Sequence, residues 1–315
     1  MGDGNSTEGP DPGEERLAGP FAPEEPTLVV RIARALPRPD VWRARLDRAR
    51  KRVPVIDVAV ETVEHDAEIG GGILAGALAY RLFLFFLPLA FILVALLGLV
   101  ADGFGTTPRT IGRDVGLVGL VTKEVASTAE GRSSVWVLLA SLVVLAYATR
   151  VLYRAVAIVH ALAWEHSATG AKAGSRSLRL FGLALAAELA LALALGAARS
   201  HSTTDGLIGV VAFLVLTSAN WLCISLLLPH STARWPELVP GAVLFGVGLL
   251  VVNTFNLYIL GALHSARTNT YGTLGAAAAI LLSLLLIGRV IVGSAVLNAT
   301  LFERRARDAA RRLDP

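Results

Sequence analysis

From residue 71 onward the chain is a series of long apolar blocks separated by short polar stretches. The first block, GGILAGALAYRLFLFFLPLAFILVALLGLV, runs from about Gly71 to Val100. Others occupy about 135–160, 178–198, 207–228, 239–263 and 271–301. A helix needs about 20 apolar residues to cross the hydrocarbon of a bilayer, and each block reaches that length. The pattern predicts an all-α fold, a polytopic transmembrane bundle of about six spans filling residues 70–302. Pro88 should kink the first span. The connections after the third, fourth and fifth spans are short, so those helices should pack as antiparallel neighbours. Gly72 with Gly76, and Gly272 with Gly275 and Ala279, have the spacing that lets helix backbones approach closely in lipid.

The polar stretches differ in kind. Residues 1–30 are acidic and rich in Gly and Pro. They have too little apolar surface to offset ordering entropy, so they should form a disordered tail. They also lack the basic start and apolar core of a signal peptide. Residues 31–69 form a cytoplasmic approach segment, basic and then amphipathic. Nine Lys/Arg fall between Arg31 and Arg52, suited either to an interfacial helix on anionic lipid or to a solvated linker. In VPVIDVAVETVEHDAEI, Val55, Val58, Val63 and Ile69 oppose Asp57, Glu61, Glu64 and Asp66, as in a helix lying beside the first span. Residues 102–134 are polar and of balanced charge, and they should rest on the outer surface. Residues 303–315 form a basic tail.

Charge gives the bundle a direction. Lys and Arg concentrate before the first span, between the second and third, and after the sixth. Positive residues mark cytoplasmic loops, so both termini should be cytoplasmic, which an even number of spans allows. The weak point is the fourth-to-fifth loop, which carries only Arg234 and His230. Composition agrees with burial in a bilayer. Only 17% of residues are charged, against about 25% in soluble domains. The pI is about 9.6, but the basic residues crowd the edges of apolar blocks rather than interleaving with aromatics, which argues against nucleic acid as a partner. The lone Cys223 allows no intramolecular disulfide and should be a small buried hydrophobe.

The second span becomes basic early, at Arg150 and Arg154, so its inner end should project out of the hydrocarbon; the charges expected within the hydrocarbon are Arg81, Glu188 and Arg289. An ionisable group at bilayer depth is expensive and needs a partner. Glu188 is therefore expected to pair with Arg81, Arg289 or both. Such a network could be a polar pathway for an anion or a lipid headgroup, or a buried salt bridge that fixes packing. Asn253, Asn256 and Asn298 also lie in spans, where amides act as interhelical glue or contact a substrate. The six histidines show no metal-binding spacing with carboxylates. No nucleophile elbow or phosphate-binding loop is present. The expectation is no catalytic residue, no metal and no cofactor.

Three segments carry a family resemblance. AGALAYRLFLFFLPLAFILVALLG has an aromatic at Tyr80 and a proline at Pro88. LLLPHSTARWPELVPGAVLFGVG has Pro229 in its loop and Pro240-Gly241 in the next helix. TYGTLGAAAAILLSLLLIGRVIVGSAVLNATLFERR contains Tyr271-Gly272, then Asn298 and a basic end. Together these resemble the YihY/BrkB family of bacterial inner-membrane proteins. The resemblance implies six spans with both ends in the cytoplasm, and it implies no secure reaction. Some relatives carry a ribonuclease label, but this sequence lacks the His/Asp cluster that such chemistry needs. Where many relatives have an acidic residue just before the LNA, this chain has Val296. Arg81 also stands where many members are uncharged.

Two functions stay open: a transporter or exporter of a small solute or lipid, or a membrane scaffold that binds anionic lipid or partner proteins through its basic cytoplasmic segments. Membrane lipids are the expected partners, and a homo-oligomer is compatible with the pattern. The orientation is testable in a Cys223→Ser background. Single cysteines placed at Gly4 and Asp308 should react with a membrane-impermeant thiol reagent only after cells are opened. Labelling of either in intact cells would reverse the assignment.

Overall fold

The computed structural model describes residues 50, 52–104, 134–165, 174–201, 203–230, 232–266 and 272–313. The expected N-terminal tail and most of the basic run and of the outer polar segment lie outside them. Two units divide the chain, Met1–Asp57 and Val58–Pro315. Within the first, Arg50 Nε donates to Asp57 Oδ1 at 3.0 Å.

Among the described residues seven helices follow one another: α1 (Pro54–Glu68), α2 (Gly71–Phe104), α3 (Ser134–Ala163), α4 (Ser175–His201), α5 (Thr203–Leu227), α6 (Trp235–Ala266) and α7 (Gly272–Leu313). Six of them, α2 to α7, are long and apolar enough to cross a membrane. Among the described residues there is no strand. The outward faces are apolar too, with Leu142, Val143, Leu183, Val215 and Val251 all exposed. A water-soluble bundle would not present so much apolar surface; a bundle bathed in lipid must.

The helices form a ring in sequence order, closed by α7 against α2. α7 also touches α3 and packs along α6, so it is the most enclosed helix. α4 is peripheral and leans mainly on α5. With 42 residues α7 is far longer than a span requires. At 1.5 Å per residue it reaches about 63 Å. The stretch after residue 302, expected as a separate tail, continues the helix to Leu313.

Glycine makes the tight contacts, though not the glycines expected. Gly72 and Gly76 face open space, and Gly272, Gly275 and Ala279 have no described side-chain environment. The close approaches come from Gly241, Gly246, Gly248 and Gly288. A Cβ on Gly288 would lie 2.5 Å from the Ala75 carbonyl oxygen of α2, and one on Gly241 would lie 2.3 Å from the Ser294 carbonyl oxygen of α7. Both obstacles are backbone and cannot rotate away.

Trp221 of α5 ties the core together. Its ring stacks on Phe245 of α6 at 3.9 Å, and its Nε1 donates to Ser294 Oγ of α7 at 3.0 Å. The α5–α6 connection ends in a helix cap. The Glu237 carboxylate accepts from the Arg234 backbone N–H at 2.7 Å, the reach-back of a capping box. Cys223, expected inside, is exposed on the outer face of α5.

Gly241→Ala should lower stability by about 2 kcal/mol, the usual scale for overpacking a tight contact. Gly76→Ala, in open space, should cost nothing. Unfolding in detergent micelles checks both. Equal effects would remove the α6–α7 close approach as a determinant.

Candidate functional site

Site formation starts at the turn between α1 and α2. Gly70 adopts φ +69°, in the left-handed region, and its N–H reaches back to the Ala67 carbonyl at 3.2 Å. Such a residue ends a helix sharply, and glycine adopts it without strain. The turn folds Asp66 back over the first turn of α2. A Cβ on Gly71 would collide with the Asp66 Oδ1 atom at 2.0 Å, so Gly71 is the space the carboxylate occupies. A helix N-terminus favours negative charge at that place.

Arg289 of α7 meets this carboxylate with both terminal guanidinium nitrogens. Nη1 donates to Oδ1 at 2.9 Å and Nη2 to Oδ2 at 2.8 Å. The Asp66 side chain is 13% exposed and that of Arg289 44%. The expected pairing of Arg289 with Glu188 is therefore corrected. The arginine lies beside the first turn of α2, and the nearest acid comes from α1, outside every span. One sequence signal pointed this way: arginines outnumber the lone Glu188 within the apolar blocks, so an acid outside them was available as a partner.

Glu188 is also answered differently. Its Oε1 accepts from Thr217 Oγ1 at 2.8 Å, and its Oε2 accepts from Asn220 Nδ2 at 2.9 Å. The same Nδ2 donates to the Ala184 carbonyl at 3.0 Å. Neutral donors, not an arginine, hold this carboxylate, and they clip peripheral α4 to α5. Thr217 and Asn220, three residues apart on one helix face, were the overlooked partners.

Asn298 and Asn256 act between helices. Asn298 Oδ1 accepts from the Gly241 N–H at 2.7 Å, and its Nδ2 donates to the Leu238 carbonyl at 3.1 Å. The PGA and LNA motifs thus meet face to face. Asn256 accepts a hydrogen bond from Ser283 of α7. Asn253 sits on the same helix, half-buried. Of the other motif positions, Tyr80 is exposed, Pro88 is buried inside α2, Pro229 and Pro240 are half-buried, and Tyr271 lies outside the described residues. Val296, at the acidic position of many relatives, is fully buried in the apolar core.

Two cavities lie among the described residues. One, of about 440 Å³, opens between α2 and α3. Arg81, Arg154 and Tyr147 line it, with Leu74, Val151 and Ile158 around them. Arg81 lies ten residues into α2 and Arg154 nine residues before the end of α3, so both sit about 14–15 Å inside the same end of the bundle. Among the described residues neither makes a hydrogen bond or ion pair. The other cavity, of about 270 Å³, lies where α1, α3 and α7 meet, among Glu61, Glu64, Glu68, Glu165 and Glu303. There Arg304 donates to Glu61 at 3.0 Å, and Arg307 also pairs with Glu61. Among the described residues no group of three or more His, Cys, Asp or Glu is arranged to hold a metal ion.

With this geometry in view, residues 68–314 match the family of virulence factor BrkB. The chain belongs to that family. No curated protein and no solved structure matches it. The BrkB match covers α2 through α7, so the cavity, the Asn298 clamp and Arg289 all fall within it, while Asp66 falls just before it.

Asp66→Asn and Arg289→Gln should each destabilise by about 2 kcal/mol, since each leaves a partly buried charge without its partner. The double substitution should cost no more than the worse single one. A double-mutant cycle in detergent unfolding measures this, and strict additivity would mean the pair is not coupled.

Proposed function

We propose that this BrkB-family membrane protein is a transporter or exporter of a small solute or lipid, and not an enzyme. One observation carries the reading: the cavity between α2 and α3 is lined by two exposed arginines, Arg81 and Arg154, about 14–15 Å inside the same end of the bundle and with no protein partner among the described residues. A guanidinium in that setting is costly unless an anion or water answers it. Structural charges in this bundle are satisfied by the protein itself, as Arg289 and Glu188 are. Unsatisfied ones mark where a ligand belongs. The proposed setting is a bacterial plasma membrane, with both termini in the cytoplasm and the cavity opening toward the cytoplasmic half.

Glu188 is not part of this pathway. It does not line the α2–α3 cavity, and its carboxylate accepts from Thr217 and Asn220. That same observation lends some support to a second reading, a scaffold that moves nothing. Its binding surface would be the exposed end of α7, with Arg311 and Arg312, facing anionic lipid or a protein partner. Neither reading requires nucleic acid, and either permits a homo-oligomer.

The two separate in a deletion strain complemented with variants and profiled for metabolites and lipids. A transporter predicts that Arg81→Gln fails to restore the wild-type profile at normal abundance, while truncation after Asp308 restores it. A scaffold predicts the reverse. Full restoration by Arg81→Gln would sink the transporter reading.

A further inference from the structure

We infer that the cavity between α2 and α3 binds a phosphate monoester, carried by a lipid headgroup or by a soluble anion. The inference rests on the transporter reading only in taking the same cavity as the place of binding.

Charge comes first. Arg81 and Arg154 both line this space. α3 contains no Asp or Glu, and α2 has none before Asp102, far along the helix. Two positive charges therefore share a cleft whose own walls offer no counter-charge. In a low-dielectric setting the favoured occupant is one that neutralises both. A phosphate monoester carries about −1.5 to −2 near neutral pH, whereas a phosphodiester carries a single negative charge and would leave one arginine uncompensated. A carboxylate falls short for the same reason.

Geometry of the donors comes second. Guanidinium is planar and presents paired N–H groups, which match two oxygens of one phosphate. Tyr147, on the same wall, adds a phenolic hydroxyl able to donate to a third oxygen.

The remaining walls bear on what the phosphate is attached to. Leu74, Ala77, Leu78, Val151, Ile158 and Val159 complete the lining. Ile158 and Tyr147 are also exposed on the flank of the bundle, so the cleft is continuous with the lipid-facing surface. The volume, about 440 Å³, falls in the ordinary range for small-molecule sites, roughly 300–1,000 Å³. Two exposed arginines over an apolar floor that includes Leu78 and Val159, open to the bilayer, suit an amphiphile whose chains stay in lipid. A free phosphate ester would use the arginines and leave the apolar walls idle.

The test is equilibrium binding to the purified full-length chain in detergent, read by native mass spectrometry. Phosphatidic acid, a monoester, is titrated against phosphatidylglycerol, a diester with the same acyl chains. The expected result is a preference for phosphatidic acid of about tenfold or more, the scale of one added charge-assisted contact. The pair Arg81→Gln with Arg154→Gln should abolish the preference, and Arg81→Lys with Arg154→Lys should recover part of it. Equal affinity for the two lipids overturns the inference, and that comparison needs no variant to fold. So does an unchanged preference in the glutamine pair. A third arm adds inorganic phosphate at the concentration of the lipid. Displacement assigns the site to a soluble phosphate and retention to a lipid headgroup, and both sustain the phosphate assignment. Because binding is read without movement, a protein that binds phosphatidic acid but moves nothing across vesicles defeats the transporter reading alone.

Discussion

In hydrocarbon a polar group without a partner costs several kcal/mol, because no water is there to take its place. That constraint organises this bundle more than any apolar contact does. Lipid tails are as apolar as leucine, so leucine packing alone gives the helices little reason to prefer one neighbour to another. The polar exceptions supply the reason. Glu188 with Thr217 and Asn220 selects α5 as the partner of α4. Asn298 with Gly241 and Leu238 fixes α6 on α7. Asp66 with Arg289 pins α1 to α7 at the foot of α2.

These clamps work together with the glycines. A side-chain amide reaches a backbone N–H on another helix only if the two backbones come close. Gly241 provides the approach and also the N–H that Asn298 accepts from. Gly288 stands beside Arg289 and brings α7 onto Ala75 of α2, near the turn that delivers Asp66. The motif residues shared with the family are thus largely packing residues. They define the frame, and the family name says little about the reaction.

Against that frame the α2–α3 cleft stands out. Arg289 and Glu188 each have protein partners with well-aligned hydrogen bonds. Arg81 and Arg154 have none among the described residues, and the helices that carry them have no acid nearby to spare. Such an arrangement is unstable as architecture and makes sense as a binding surface. The acidic groove at the base of α1 differs, since Arg304 and Arg307 already pair with Glu61 there.

Hydrophobic length and charge placement made the helices legible from sequence, because a span must be long enough and uncharged enough whatever it packs against. The apolar blocks therefore matched six helices, and Arg81, Glu188 and Arg289 were recognisable as groups that needed an answer. The answers themselves were not legible. A hydrogen bond depends on which faces meet, and helix rotation in lipid is set by contacts far apart in sequence, such as Asp66 with Arg289. Gly72 and Gly76 carried the spacing of a contact motif yet face outward, while Gly241 and Gly288 carry the contacts, because spacing does not say which side of a helix turns inward. Only the tertiary structure could separate the charges that hold the bundle from the two that open into a cavity.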